Sequence, residues 1–226
     1  MNNIEILSTN TFFPYPKPKK LVFMLHGYGD NADNFIYVAK ELHNTESRAN
    51  YITINAPSEI PNYPLARQWF NLYPNGIYIS DAGHNEISII KSEVLTAVKS
   101  IENTIKKIKD QFALDYSDCF VLGFSQGGIM AFELGNYLKK KLAGSAIISG
   151  RILENNQIVN SYFLNTPLFI SHGDEDDVLP IKNFYNSCEI LKKNKFNFED
   201  HLLKGDSHTI SPKAIDLLQK FIKKNL

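Results

Sequence analysis

From residue 21 to the carboxyl end, two kinds of apolar pattern take turns along the chain. Short β-branched or aromatic runs bounded by Gly, Pro and Asn read as strands, and longer stretches with apolar residues three and four apart read as amphipathic helices. The strand runs are LVFML (21–25), YITIN (51–55), CFVLG (119–123), SAIIS (145–149), PLFIS (167–171) and FNFEDHLL (196–203). Helical spacing predicts helices over 32–43, 86–110, 127–140, 182–194 and 212–224. In the last of these, Ser211 suits the cap and Pro212 the first turn, while Ala214, Ile215, Leu218, Phe221 and Ile222 form an inward stripe opposite lysines. The strand runs are almost continuously apolar, as expected of a mostly parallel central sheet covered by helices on both faces. One segment breaks the alternation: residues 60–85 are long, aromatic and without period, so a functional loop is expected there.

Nothing divides the pattern into separate units, and residues 1–226 are read as a single α/β domain. Composition narrows the function. With 43% hydrophobic and 21% charged residues and no long apolar run, the chain is not expected to be an integral membrane protein. Lys plus Arg and Asp plus Glu balance at 24 each, so no net field attracts nucleic acid, and a small-molecule or acylated ester partner is expected instead. A homo-oligomer is compatible with the sequence but not predicted by it. Two cysteines, Cys119 and Cys188, offer neither a disulfide framework nor a metal-ligand spacing and are read as packing thiols. The start MNNIEILS has no basic stretch followed by an apolar one, and a cytoplasmic location is expected.

The chemistry enters with VLGFSQGG (121–128), where Ser125 stands between Gly123 and Gly127 at a strand-to-helix junction. A tight turn there lifts the central side chain above the sheet edge, and bulk two residues away would clash. The peptide N–H of Gln126, opening the next helix, would face negative charge developing above Ser125. An ordinary Gly-rich turn has the same local sequence, so partners are required. In this type of fold an acid and a histidine should follow on loops at the carboxyl ends of later strands. HGDEDDVLP supplies Asp174, Glu175, Asp176 and Asp177, of which one is needed, and KGDSHTISP supplies His208 before the last helix. His208 would take the proton of Ser125 while the acid fixes its tautomer. His43 on a helix, His84 in the long segment, His172 at a strand end and His201 within a strand fit that role less well. The run HGYG (26–29) lets Tyr28 turn a second N–H toward Ser125, and it lacks the glycine spacing and lysine of a nucleotide cradle.

Taken together, LHGYGDNADNF, RQWFNL, GFSQGG, HGDEDDVLP and SHTISP resemble the phospholipase/carboxylesterase family of α/β-hydrolases, which includes acyl-protein thioesterases and small bacterial carboxylesterases. The likeness spans nearly the whole chain. It implies an α/β-hydrolase fold and a serine carboxylesterase or thioesterase using neither metal nor organic cofactor. It also implies Asp176 as the acid, with Asp177 as runner-up, and Tyr28 and Gln126 as oxyanion donors. Asn71 departs from the Asp common after Trp-Phe in this family, and the amino-terminal Cys that is lipidated in some eukaryotic members is missing, so no palmitoylated form is expected. Trp69, Phe70 and Tyr73, with Leu72, Ile77 and Tyr78, are the expected acyl-binding wall, since an aliphatic chain gains by leaving water for such a surface. A non-catalytic binding protein, or a small peptidase or acyltransferase on the same scaffold, are the rival readings. Because His208 must begin neutral, activity is expected to fall as the pH drops through the histidine range, between about pH 5 and 8. Initial rates across that interval check this, and a flat profile counts against His208.

Overall fold

The central sheet follows from the apolar runs. In the computed structural model, which describes residues 5–43, 47–153 and 159–226, seven strands form one sheet. In chain order they are β1 (Thr9–Phe12), β2 (Lys20–Leu25), β3 (Ala49–Ile54), β6 (Cys119–Phe124), β7 (Gly144–Ile148), β8 (Leu168–Gly173) and β9 (Phe198–Leu203). A separate two-stranded ribbon pairs β4 (Ser58–Ile60) with β5 (Tyr63–Gln68). The helices are α1 (Ala32–Leu42), α2 (His84–Gln111), α3 (Gln126–Tyr137), the single turn α4 (Ser161–Leu164), α5 (Lys182–Lys193) and α6 (Pro212–Asn225).

Strand order is β1-β3-β2-β6-β7-β8-β9, with β1 antiparallel to β3 and all other neighbours parallel. The chain winds outward from β2 to β3, then returns to the opposite side of β2 and continues through β6 to β9. Strands β2 and β6 therefore flank the point where the winding reverses, and their carboxyl-end connections leave toward opposite faces. Such a switch point opens a crevice at the strand ends, the usual ligand site of open α/β sheets.

Side-chain alternation explains why these strands read as unbroken apolar runs. Leu21, Phe23 and Leu25 of β2 pack with α2 and α3 on one face, and Val22 and Met24 pack with α1 and α6 on the other. A third cluster joins Phe132, Ile147, Phe163, Ile170, Phe184 and Leu191 beneath α5. Helix ends match their sequence signals: the Asn31 side chain accepts from the Asn34 N–H at 3.0 Å, and Ser211 Oγ accepts from the Ala214 N–H at 3.2 Å.

The differences from expectation lie where the pattern is weak. β1 was not anticipated, because TNTF is a half-exposed edge strand lacking an apolar run. β3 begins at Ala49 rather than 51, drawn into register by pairing with Lys20 and Leu21 of β2. The segment expected to be an irregular loop instead contains most of the β4–β5 ribbon, a 3-10 turn at Pro74–Gly76 and the first turn of α2. His84 thus belongs to α2, and His43 caps α1.

Two glycines let the sheet and α3 approach backbone to backbone. A Cβ at Gly127 would lie within 3.0 Å of the carbonyl oxygens of Leu25 and His26, and one at Gly123 within 3.0 Å of Gly127 O. Neither neighbour is a side chain that could swing aside. Gly127→Ala is therefore expected to cost about 3 kcal/mol or more, at the upper end for overpacked positions. Urea denaturation measures it, and a loss below about 1 kcal/mol would show that α3 can slide.

Candidate active site

The turn between β6 and α3 places Ser125 at φ 52° and ψ −116°, a conformation rare for a non-glycine residue. Several hydrogen bonds hold it there. The Ser125 N–H donates to Ile148 O at 2.9 Å, and its own carbonyl accepts from the Gly128 N–H at 3.0 Å. Because φ is positive, the side chain is lifted off the end of the sheet instead of continuing the strand.

Two later loops meet it. His208 Nε2 lies 3.0 Å from Ser125 Oγ, and His208 Nδ1 lies 2.7 Å from Asp176 Oδ2. A carboxylate only accepts, so the Nδ1 position carries the imidazole proton and the Nε2 lone pair faces the hydroxyl. Asp176 is held by its other oxygen, which accepts from the N–H groups of Val178 at 3.0 Å and Leu179 at 2.7 Å. Of the four neighbouring acids only Asp176 is buried. Asp174 instead accepts from the Gly205 N–H at 2.7 Å, and Glu175 and Asp177 face solvent. The His208 loop is fastened to the acid loop by Glu175 N–H donating to Asp206 O at 3.0 Å, and Phe124 packs on the imidazole with ring centroids 4.9 Å apart.

The 26–29 loop lies alongside. A Cβ on Gly27 would stand 3.4 Å from the Ser125 Cβ, and the loop is pinned to β5 by Gly29 N–H donating to Arg67 O at 2.9 Å and Arg67 N–H donating to Asp30 O at 3.1 Å. The Gln126 N–H opens α3, where no intrahelical acceptor exists. A cleft of about 290 Å³ opens over this constellation, walled by Tyr28, Leu72, Tyr73, Tyr78, Ile79 and Ile129.

Residues 10–226 match the profile of the phospholipase/carboxylesterase family. The chain belongs to that family. Acyl-protein thioesterase 1 of Emericella nidulans is 31% identical over 222 residues, covering 89% of this chain and 88% of that protein. Acyl-protein thioesterase 1 of Saccharomyces cerevisiae is 29% identical over 227 residues, covering 92% and 93%. Among solved structures, esterase PE8 superposes with a TM-score of 0.82 at 24% identity, covering 97% of this chain and 98% of that one. This phospholipase/carboxylesterase family member has the α/β-hydrolase fold and is a hydrolase of the esterase class.

The structure corrects part of the expected acyl wall. Tyr73 lines the cleft of this family member, together with Leu72 and Tyr78, but Trp69 and Phe70 are each 1% exposed and sit in the core. Polar bonding explains their position. The Gln126 side chain accepts from the Trp69 N–H at 2.9 Å and donates to Phe70 O at 2.8 Å, while Trp69 Nε1–H donates to His26 O at 2.8 Å. One amide and one indole thereby tie the serine turn, residues 69–70 and the start of the 26–29 loop together. Asn71, the family departure, caps this segment by accepting from the Tyr73 N–H at 2.8 Å, and its own N–H donates to Glu93 at 2.7 Å. The sequence reading also missed Arg151, Phe124, Ile129, Val178 and Leu179 as lining residues. Phe124 ends β6 next to Ser125, and the others come from α3 and from later loops that only the fold brings there.

Neither cysteine is a competing nucleophile: burial pushes the thiol of Cys119 up to about 12 and that of Cys188 up to about 11. Among the described residues, no three His, Cys, Asp or Glu side chains converge to hold a metal ion. No helix among them is long and apolar enough to cross a membrane.

Two buried histidines support the site without entering the cleft. His26 accepts from the Ala56 N–H at Nε2, 3.0 Å away, and its Nδ1–H donates to Gly27 O at 2.8 Å. His172, behind Asp176, donates from Nε2 to Leu179 O at 2.7 Å. Burial lowers both rings below the ordinary 6.5, outweighing hydrogen bonds to Gly27 O and Leu179 O that act the other way. His172 is thus neutral, and its 3.4 Å approach to Asp176 is not an ion pair. In the unfolded chain the same rings take a proton below about pH 6.5, so the unfolded state binds more protons and stability falls as the pH drops through that value. The melting temperature of the wild type is expected to fall from pH 7 to pH 5, and more steeply than that of His172→Gln. Equal slopes in thermal melts would show that the ring does not titrate on unfolding.

Proposed function

We propose that Ser125, His208 and Asp176 act as nucleophile, general base and orienting acid in hydrolysis of carboxylic esters and thioesters. The supporting observation is the unbroken pair of hydrogen bonds, 3.0 Å from Ser125 to His208 and 2.7 Å from His208 to Asp176, across residues 83 and 32 positions apart. His208 takes the hydroxyl proton as Ser125 Oγ attacks the carbonyl carbon. The N–H groups of Tyr28 and Gln126 receive the oxyanion, a reading supported by the Gln126 position at the start of α3 and by the nearness of the pinned 26–29 loop. Collapse expels the alcohol or thiol, which takes the proton from His208. Water, deprotonated by the same imidazole, then releases the acid and regenerates Ser125. Asp176 holds the imidazole tautomer and stabilises its cation.

The cleft volume of about 290 Å³ lies at the lower edge of the range for small-molecule pockets, which favours short acyl chains on soluble substrates over long lipid chains. Apolar lining by Leu72, Ile79 and Ile129 supports an acyl rather than a sugar or nucleotide occupant. The same reading takes residues 1–226 as one catalytic domain. It places the protein in the cytoplasm, supported by two buried cysteines that form no disulfide.

Fluorophosphonate is expected to label Ser125 in the folded protein, and Ser125→Ala to abolish both label and ester turnover. His208→Ala and Asp176→Asn are expected to lower kcat/KM by about 10³-fold or more, whereas Asp177→Asn changes it by less than about threefold. Within straight-chain esters, kcat/KM is expected to rise about fourfold per added methylene until the cleft is full and then to drop. A folded protein that takes no label is a binding module, and turnover confined to amides or to alcohol acceptors makes it a peptidase or acyltransferase.

A further inference from the structure

We infer that the buried imidazole of His26 is a positioning group for the reaction: it aims the Tyr28 N–H at the oxyanion by holding the carbonyl at the other end of the same peptide. This inference deepens the hydrolase reading proposed above and rests on it, because it concerns the oxyanion donor assigned there to the 26–29 loop. Two neighbouring N–H groups already have acceptors. The Gly29 N–H donates to Arg67 O at 2.9 Å and the Asp30 N–H to Gly27 O at 3.3 Å, which closes a turn with Gly29 at φ 83°. Among the described residues, the Tyr28 N–H has no acceptor. Its loop lines the cleft, and a Cβ on Gly27 would stand 3.4 Å from the Ser125 Cβ, so a donor left over here lies beside the nucleophile.

The peptide plane does the aiming. In a trans peptide the C=O and N–H point in opposite directions, so whatever fixes Gly27 O also fixes the direction of the Tyr28 N–H. His26 Nδ1–H donates to Gly27 O at 2.8 Å. The ring is wholly buried, so this bond draws the carbonyl toward the core and turns the N–H toward the cleft. Only one tautomer does this. His26 Nε2 accepts from the Ala56 N–H, just past β3, at 3.0 Å, which leaves the ring proton to Nδ1. Burial keeps the ring neutral by lowering it below the ordinary 6.5. The preceding peptide is held as well, since Trp69 Nε1–H donates to His26 O at 2.8 Å and the two rings lie with centroids 5.3 Å apart. Gly27 would otherwise turn freely, and fastening the peptides on both of its sides leaves it one orientation. A donor fixed in this way needs no reorientation as charge develops on the substrate oxygen.

Two substitutions separate the roles of the two ring nitrogens. Asn places an amide N–H as many bonds from the backbone as Nδ1, and Gln places an amide oxygen as many bonds away as Nε2. Both remove the ring from beside Trp69, so both are expected to lower the melting temperature. His26→Gln is expected to lower kcat for an oxoester such as ethyl butanoate on the order of ten- to a hundredfold, approaching the loss of one oxyanion donor, with KM changed by less than about threefold. His26→Asn is expected to recover most of that loss. The matching thionoester, whose C=S accepts hydrogen bonds weakly, supplies a readout that stability does not move. The wild type is expected to prefer the oxoester, and the ratio of the two kcat/KM values to fall in His26→Gln and return in His26→Asn. A ring that is only a strut lowers both substrates alike and leaves the ratio unchanged, which overturns the inference; equal loss in the two variants, or a labelled wild type without the oxoester preference, overturns it too. Nitrogen NMR of the wild-type ring needs no variant to fold: at about pH 7 the proton is expected on Nδ1, and a proton on Nε2 overturns the inference by itself. Fluorophosphonate labelling of wild-type Ser125 keeps the two readings apart. Label with an unchanged ratio removes this inference alone, whereas absence of label removes the hydrolase reading and this inference with it.

Discussion

The structure depends on one constrained junction, the turn at residue 125 where β6 hands the chain to α3. Holding a non-glycine residue at positive φ costs about 1–3 kcal/mol, and such strain persists only where the surroundings over-determine it. Here they do. Gly123 and Gly127 bring backbone onto backbone, Gly150 closes from the side, and the Ser125 amide is bonded to the end of β7. Beneath the turn the sheet is packed on both faces by large apolar clusters, so relaxation at one residue would have to move a helix or a strand. The serine is thereby presented in one orientation before any substrate arrives.

Around that junction, buried polar groups do the positioning. The Gln126 amide is bonded at both ends to the backbone of residues 69 and 70, and the Trp69 indole carries the linkage on to His26. Within a low-dielectric interior such bonds are strong if complete and costly if broken. They set the spacing between the serine turn and the 26–29 loop from behind, without facing the cleft. A second set acts on the other side: the backbone of Val178 and Leu179 holds Asp176, His172 braces Leu179 O, and bonds between the acid and histidine loops keep His208 in reach. Preorganised donors and a fixed imidazole are the main requirements of acyl transfer. Family membership is consistent with that arrangement, because the matched region includes every loop that contributes to it.

The hydrogen-bonded Ser125–His208–Asp176 set and the cleft walls are drawn from different parts of the molecule. Ser125, Asp176 and His208 stand on loops at the carboxyl ends of β6, β8 and β9, next to the sheet reversal, whereas the walls of the cleft include the 72–79 segment, α3 and the turn after β7. The second set is free to vary without disturbing the first.

The sequence by itself determined the alternation of strands and helices, the parallel sheet, the serine junction and the histidine loop. These are local signals: side-chain period, glycine placement and chain order each act over a few residues. Its readings were least accurate where period was lacking, at the edge strand β1 and across residues 60–85, because pairing partners far along the chain impose structure there. Only the tertiary structure decided which of four adjacent acids turns inward, that Trp69 and Phe70 face the core while Tyr73 faces the cleft, and that Arg151 joins it. Those outcomes depend on the direction in which a side chain points relative to elements 50 or more residues away for the aromatics and about 30 residues away for Asp176 and Arg151. No local pattern carries that direction, since it is set by packing and by which buried hydrogen bonds can be completed.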